Sequence, residues 1–522
     1  MSRSFCRPLR AVLLWTCLAP ASIASAAAES TLRVWLNSDI RSTEPGVNRD
    51  ANTDVVMSHI FEGLVAFRED ASVGPMLAEA IDVSADGLLY TFHLRDHVTF
   101  HNGQPMTADD VLWSWHRYLD PATQWRCLPE VDGHGVTKIL SVEAVDPKTV
   151  VFKLERPSAL FLTTMARPDC GEAAILHRDS VGPDGKWRGP IATGPFKIGE
   201  WKPGQYIELD RFDGYASRPD ERDGETGGKK ALVDKLRFLI IPDPSAAKAA
   251  ILAGALDILA DVAPAEQADF GNRPDIRIDR APIMNMYAIL LQTKDVVLKD
   301  ARIRRALAMS IDCPSLVDAV TNGASRANNS AVPSSSPFYD ATQASGFKHD
   351  LAEARKLLSE AGYSGQRIKL LANKRYAEMF DQAMLVQAMA AEVGLNIDVE
   401  VTDWASELDR YANGDYQAMS FSYSARLDPS LNYDVFTGPK ASEPRKVWDD
   451  PKIQSLLEAS MRTNDAKERQ AIFDEMHRAM LDEVPLIPLF NTTLIGAVRK
   501  NVVGYKGWPG GLPRYWNVGF GS

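Results

Sequence analysis

The length of this chain is the feature that most restricts its fold. A single hydrophobic core stops growing at about 250–300 residues, whereas this sequence has 522. We therefore expect two or three structural units. Hydrophobic residues make up 45% of the chain and charged residues 24%, which is typical of a soluble globular protein.

Strand and helix patterns are mixed along the sequence. Residues 89–100 alternate between apolar and polar side chains, as expected for a half-buried strand. Thr107, with Asp110 three residues later, is typical of a helix N-cap. Asp350 has the same role before an apolar-periodic stretch, and further strands are predicted at 368–371, 397–401, 418–423 and 486–490. The mixture predicts an α/β protein.

The N-terminus has the three-part layout of a secretory signal peptide. Arginines at positions 3, 7 and 10 precede an apolar run over 11–18, and small residues fill 19–28. We predict a signal peptide over 1–28, cleaved near Ala26 to Ala28, and a mature protein in the periplasm. A membrane anchor is the alternative, but the run is far shorter than the ~20 residues that span a bilayer. A lipoprotein at Cys17 is disfavoured by the bulky residues before it.

The charge and the missing motifs exclude several functions. The net charge is −11 and the pI about 5.4, so nothing indicates a nucleic-acid or anionic-membrane ligand. No G-x-S-x-G, H-E-x-x-H or C-x-x-C motif is present. His93, His97 and His101 are spaced by four on a predicted strand, which separates neighbours by about 13 Å. The sequence therefore predicts no catalytic residue, no metal site and no cofactor.

Three cysteines remain after the predicted signal peptide. An exported chain can keep a disulfide. Cys127 and Cys170 both lie in loop-like sequence, and we predict that they pair. Cys313 follows Asp312 at a predicted helix start, and we expect a buried free thiol there.

Seven segments, in order, resemble one known family. They are 59–65, 77–115, 192–209, 241–258, 298–312, 350–363 and 483–493. The second, LAEAIDVSADGLLYTFHLRDHVTFHNGQPMTADDVLWSW, is the most recognisable. Together they resemble the family 5 extracellular solute-binding proteins, which include the oligopeptide- and dipeptide-binding proteins of ABC importers. The resemblance covers nearly all of the predicted mature chain.

The resemblance implies a fold and a mechanism. The fold would be the large, three-domain type of the two-lobed periplasmic-binding-protein fold, with a ligand cleft between the lobes. Lobe I would comprise 29–72, 192–285 and 495–522, an extra domain 73–191, and lobe II 286–494. The ligand, a peptide or peptide-like small solute, would favour closure of the cleft. The closed protein would then deliver it to the permease subunits in the inner membrane. We expect a monomer.

The resemblance also points to candidate ligand contacts. In peptide-binding relatives, an acidic residue before a proline pairs with the α-ammonium of the ligand. Here that place falls near Ala425 or Arg426, and the nearest carboxylate is Asp428. Arg426 in a cleft would instead favour a carboxylate or phosphate, although it could equally be a structural salt-bridge partner. Trp404 matches a pocket-lining tryptophan, with core packing as the alternative. The other candidates are Phe421, Tyr423, Tyr433, Arg410 and Asn37.

Three alternatives to peptide uptake remain open. One is a binder of a non-peptide anionic solute, such as an opine-like compound, a sugar-derived solute or a metal chelate. Another is a periplasmic hydrolase, for which no nucleophile–base motif is found. The third is a chaperone or sensor built on the same fold.

Overall fold

The computed structural model of the protein describes Met1 and residues 29–521. The predicted signal peptide, apart from Met1, lies outside the described residues. The strands are β1 (Thr31–Leu36), β2 (Val65–Phe67), β3 (Val73–Pro75), β4 (Ala78–Val83), β5 (Leu89–Leu94), β6 (Ile139–Asp146), β7 (Thr149–Leu154), β8 (Phe196–Lys202), β9 (Tyr206–Arg211), β10 (Lys235–Ile240), β11 (Ile258–Leu259), β12 (Ile276–Pro282), β13 (Met286–Leu291), β14 (Arg326–Ala327), β15 (Arg367–Asn373), β16 (Asn396–Thr402), β17 (Ala418–Tyr423), β18 (Leu486–Asn491), β19 (Thr493–Arg499), β20 (Val502–Val503) and β21 (Gly519–Phe520).

Helices alternate with these strands through most of the chain. They are α1 (Ala51–Met57), α2 (Ala108–Leu119), α3 (Phe161–Ala166), α4 (Pro244–Ala253), α5 (Gln267–Gly271), α6 (Ala301–Ser310), α7 (Cys313–Thr321), α8 (Leu351–Glu360), α9 (Ala377–Ala391), α10 (Trp404–Asn413), α11 (Pro429–Asp434), α12 (Pro451–Arg462) and α13 (Ala466–Glu483). Aspartates at their N-caps begin many of them: Asp350 accepts a hydrogen bond from the Glu353 amide at 3.0 Å. None of the helices within 29–521 has the length and apolar composition needed to cross a membrane.

Three larger sheets organise the molecule. A seven-stranded sheet has the order β12-β19-β11-β1-β10-β9-β8, a six-stranded sheet the order β14-β18-β13-β17-β15-β16, and a four-stranded antiparallel sheet the order β4-β5-β7-β6. In the first, β1 pairs in parallel with β10 and β11, while β19 pairs antiparallel with β11 and β12. The mixed sheets flanked by helices agree with the α/β class predicted from the sequence.

Each larger sheet has its own hydrophobic core. In the six-stranded sheet, all six residues of β13 are buried between β17 and β18. Phe92, Trp115 and Phe152 pack edge to face beneath the four-stranded sheet, with ring centroids 5.0–5.3 Å apart. The strands of each larger sheet lie in about the same sequence ranges as one of the predicted lobes or the extra domain. The limits 29–72, 73–191, 192–285, 286–494 and 495–522 stay a proposal.

Candidate functional site

A cavity of about 1080 Å³ lies where the parts of the chain that carry the three larger sheets meet. Its walls come from residues 49–67 and 508–512, from 126–136 and 160–169, and from 424–461. The charged and aromatic lining residues are Arg49, Asp50, Asp54, Phe67, Arg126, Glu130, His134, Arg167, Asp169, Arg426, Asp434, Arg445 and Trp508. All three parts of the chain therefore border this space.

One wall of the cavity carries arginines that are already paired with carboxylates. We call it the paired wall, and it consists of Arg126, Glu130, Arg167 and Asp169. Arg167 contacts Glu130 at 2.6 Å and Asp169 at 2.8 Å, and Arg126 lies 3.3 Å from Asp169. Burial alone would raise the pKa of Asp169, but hydrogen bonds and charge from Arg167 hold it below the usual value. These groups therefore neutralise one another without a ligand.

A disulfide fixes the paired wall. Cys127 and Cys170 are joined, with a Cα–Cα distance of 5.6 Å and a sequence separation of 43. Arg126 and Asp169 are their immediate neighbours, so the bond holds two charged groups of the wall close together. Trp125 adds a hydrogen bond of 2.8 Å from its indole nitrogen to the Cys170 carbonyl. Cys313 is free and buried.

Arg426 lies on the opposite wall, directly after β17. It is half-buried and lines the cavity. A terminal guanidinium nitrogen donates to the carbonyl of Ser424 at 2.9 Å, and the guanidinium carbon lies 5.8 Å from the Tyr423 ring centroid. Burial lowers the pKa of Arg426, although Tyr423, Tyr411 and the charge of Asp434 act in the opposite direction. Of the eight predicted ligand contacts, Arg426 alone is among the residues that line this cavity.

Asp428, two residues further on, has internal partners. Its carboxylate accepts a hydrogen bond from the Ser430 amide at 2.9 Å, as the N-cap of α11. Arg469 donates to the same carboxylate at 2.6 Å, and both side chains are buried. Asp428 does not line the cavity. These contacts argue against the predicted role of Asp428 as partner of a ligand ammonium, because the structure already supplies its cation.

The predicted aromatic contacts form a cluster beside the cavity. Trp404 stacks on Phe421 with centroids 5.9 Å apart, and Tyr411 stacks on the same ring at 4.5 Å. Phe421 and Tyr423 are 5% exposed. The cluster packs against the six-stranded sheet, which is the core-packing alternative considered for Trp404. None of these rings is among the residues that line the cavity.

The remaining three candidates also lie outside the cavity lining. Tyr433 is fully buried, and its ring is nearly parallel to that of Phe473. Arg410 donates to Glu400 at 2.6 Å. Asn37 is exposed and accepts a hydrogen bond from Asn52 at 2.7 Å.

Sequence reasoning missed most of the charged groups of the cavity. Arg49, Arg126 and Arg167 come from segments far from Arg426 in sequence, and no motif marks them. One signal was present. A bond between Cys127 and Cys170 places their neighbours Arg126 and Asp169 side by side, so the predicted disulfide could have predicted this ion pair.

A cluster of buried charges lies next to the cavity wall. Glu62, Glu172, Glu225 and Lys229 are at most 2% exposed, and the Glu62 carboxylate is 3.8 Å from the Lys229 ammonium. The amide of Glu225 donates to the carbonyl of Phe67, which lines the cavity. Burial raises the pKa of Glu225 to about 7. Burial and the charge of Glu225 raise the pKa of Glu172. This cluster has more carboxylates than cations.

Comparison with known proteins identifies the class. The family described as bacterial extracellular solute-binding proteins, family 5 Middle, matches residues 72–443. The chain belongs to this family, as the sequence segments predicted. Its fold is the two-lobed α/β fold of periplasmic binding proteins: the structure of HbpA2 from Haemophilus parasuis aligns with a TM-score of 0.80 at 24% identity, covering 94% of this chain and 100% of that one.

Relatives of this chain include proteins named for different ligands. Di/tripeptide-binding protein 1 of Pseudomonas aeruginosa (strain UCBPP-PA14) is 28% identical, with 90% of each chain covered. The dipeptide-binding protein of Escherichia coli (strain K12) is 26% identical, covering 91% of this chain and 90% of that one. The structure of AgaA from A. tumefaciens R10 in complex with agropinic acid is 26% identical, with a TM-score of 0.69 over 94% of this chain and 99% of that one.

Proposed function

We propose that this protein is the periplasmic solute-binding component of an ABC importer and captures a peptide or peptide-like small solute in the cavity. The observation that carries the proposal is the cavity itself, because its walls come from all three sheet-bearing parts of the chain. Names of relatives, such as the di/tripeptide-binding and dipeptide-binding proteins, support a peptide-like ligand.

Capture would work by differential affinity. A solute that touches both sides of the cavity binds the closed arrangement more tightly than the open one. Moving a two-state equilibrium from mostly open to mostly closed needs about 5.5 kcal/mol of such a difference. Micromolar binding corresponds to about 8 kcal/mol in total, which is sufficient. No bond of the solute is broken in this scheme, so the protein acts as a carrier and not as a catalyst.

The proposed partners follow from the same scheme. The closed protein would dock on the permease subunits of the inner membrane and release its solute there. It would reach the periplasm through the signal peptide predicted over 1–28 and would act as a monomer. Loss of uptake in a strain without the permease, with the binding protein retained, tests transport against the alternatives of sensing or chaperoning.

A second candidate is uptake of a non-peptide anionic solute. Arg426 lines the cavity where Asp428 does not, and the relative AgaA was solved with agropinic acid. The two candidates share the cavity and the closure, and they differ in the ligand alone.

The cavity is tested by blocking it. Ala425 lines it, so we expect Ala425→Trp to abolish the rise in melting temperature caused by a small-peptide fraction of a casein hydrolysate. In the wild type, ligand at about a hundred times Kd stabilises the folded state by about 2.7 kcal/mol. Ala85→Trp, in an exposed turn away from the cavity, is the matched control. Equal stabilisation of Ala425→Trp and the control would place the ligand elsewhere.

A further inference from the structure

The arginines that line the cavity divide into two kinds. Four have carboxylate partners within 3.5 Å: Arg49 pairs with Asp54, Arg126 with Asp169, Arg167 with Glu130 and Asp169, and Arg445 with Glu443. Arg426 is the exception, since no carboxylate within residues 29–521 forms an ion pair with it. The nearby Asp434 is paired with Lys446 at 3.2 Å instead.

The guanidinium of Arg426 also has unused hydrogen-bonding capacity. An arginine side chain carries five N–H donors. One terminal nitrogen donates to the Ser424 carbonyl, and neither of the other two nitrogens has an acceptor in the described protein. They are not sealed in the interior, because none of them is among the buried polar atoms that lack a partner. The free donors therefore reach the space of the cavity.

The surroundings of Arg426 disfavour an isolated positive charge. The residue is half-buried, and burial lowers the pKa of its guanidinium, although the charge of Asp434 acts in the opposite direction. A charge that loses water without gaining a partner of opposite sign is costly. An anion between the walls would supply that partner and favour closure.

We propose that the ligand carries a carboxylate or a similar planar oxyanion and that Arg426 binds this group, which gives the guanidinium the carboxylate partner that the described chain does not supply. The inference rests on the proposed function, because it takes the cavity as the ligand site. A guanidinium matches a carboxylate with two parallel hydrogen bonds, which gives orientation as well as affinity. A free amine on the ligand is not required. The carboxylate belongs either to a peptide C-terminus or to a non-peptide acid.

The test compares chemically modified forms of one probe. The small-peptide fraction of a casein hydrolysate is used untreated, N-acetylated, and methyl-esterified at its carboxyl groups. A parallel panel contains opine-type N-carboxyalkyl amino acids and sugar acids. Melting temperature is measured for the wild type, Arg426→Gln and Arg426→Lys. Arg188→Gln is the matched control, because Arg188 is an exposed arginine paired with Asp184 outside the cavity.

We expect untreated and acetylated probes to stabilise the wild type and esterified probes not to. Arg426→Gln should weaken binding by about tenfold to a hundredfold, the range for a hydrogen bond to a charged group. Arg426→Lys should lose less, and Arg188→Gln nothing. Equal stabilisation by esterified probes, or full affinity in Arg426→Gln, overturns the inference and leaves the proposed function intact. Binding of the non-peptide acids alone, lost in Arg426→Gln, supports the inference and overturns the peptide ligand. No stabilisation by any acidic probe overturns both.

Discussion

Arg426 and Asp428 lie two residues apart in one segment, yet the two side chains differ in burial and in whether they have an ion-pair partner. Asp428 is buried, caps α11 and is paired with Arg469 at 2.6 Å. Arg426 is half-buried, has no carboxylate partner in the described chain, and lines the cavity. A buried charge with internal partners is part of the structure, whereas a desolvated charge without a partner is costly unless something else supplies one. This difference is the reason why we propose Arg426 as a binding residue.

The largest expected effect comes from removing the cation that is paired with Asp428. Its buried charge then has no partner, as is the case for the charge of Arg426. Arg469→Ala removes this cation and leaves a buried carboxylate without a partner. We expect a loss of about 3–5 kcal/mol in the free energy of unfolding, measured by urea denaturation. Arg462→Ala is the control, because Arg462 is exposed and pairs with Glu458 on the helix surface. That change should cost less than about 0.5 kcal/mol. Similar losses in the two variants would show that the pairing of Asp428 is unimportant.

The next effect concerns the disulfide that fixes the paired wall. Replacing both Cys127 and Cys170 by serine removes a cross-link between positions 43 apart in sequence, and with it the bond that holds Arg126 beside Asp169. We expect a loss of about 2–4 kcal/mol in the free energy of unfolding. Treatment of the wild type with a reductant should produce the same loss, and the double variant should not respond to it. A double variant as stable as the untreated wild type would contradict this role.

The comparison between paired and unpaired charges can also be made with two buried glutamates, through the pH dependence of stability. The pKa of Glu225 is raised to about 7 by burial, above its value of about 4.5 in the unfolded chain. The folded state therefore holds a proton that the unfolded state has lost, and stability falls as the pH rises from about 4.5 to about 7. Glu225→Gln removes this penalty. We expect the variant to gain on the order of 2 kcal/mol over the wild type at pH 8 and little at pH 4, measured by thermal unfolding.

Glu208 is the matched control for that experiment, because it has the partners that Glu225 lacks. Its carboxylate contacts Lys235 at 2.9 Å and is also hydrogen-bonded by Arg237. Burial would raise its pKa, but these two cations lower it on balance. Its contribution is present above the unfolded pKa and is lost as the pH falls through the lowered value. Glu208→Gln should therefore lose stability at pH 8, the opposite sign. The same sign in both variants would contradict the comparison.

The smallest expected effect is a gain in the free energy of unfolding of Arg426→Gln, a variant that we expect to bind the ligand more weakly. Without ligand, Arg426→Gln removes a half-buried charge that has no carboxylate partner in the described chain. We expect the ligand-free variant to be more stable than the wild type by up to about 1 kcal/mol, as found when binding residues are relieved of their function. Urea denaturation of dialysed protein measures it. A loss of more than about 1 kcal/mol would favour the structural role considered for Arg426.

Local features of the fold were predictable, and the composition of the cavity was not. The strand Ala418–Tyr423 was predicted at its observed limits, and Thr107 and Asp110 form the expected capping box. The first helix begins at Ala51, because Asp50 accepts a hydrogen bond from the Thr53 amide and caps the helix. Arg426 was a candidate because it stands near the place where peptide-binding relatives carry an acidic residue, and the structure places it in the cavity lining. Phe421 and Tyr433 were misleading because an aromatic residue in a core and one in a cavity wall have the same sequence signature.

The topology of the seven-stranded sheet has a consequence for how the protein is made. Its central strand β1 begins at Thr31, but β19, which joins β11 to β12, begins at Thr493. The amide of Tyr515 donates to the ring of His59 at 2.9 Å, which ties the same distant regions together. The ribosome must therefore complete almost the whole polypeptide before this sheet can close. Such late closure leaves the chain extended and accessible to chaperones until synthesis is nearly finished, and we expect truncated products that lack β19 to be degraded.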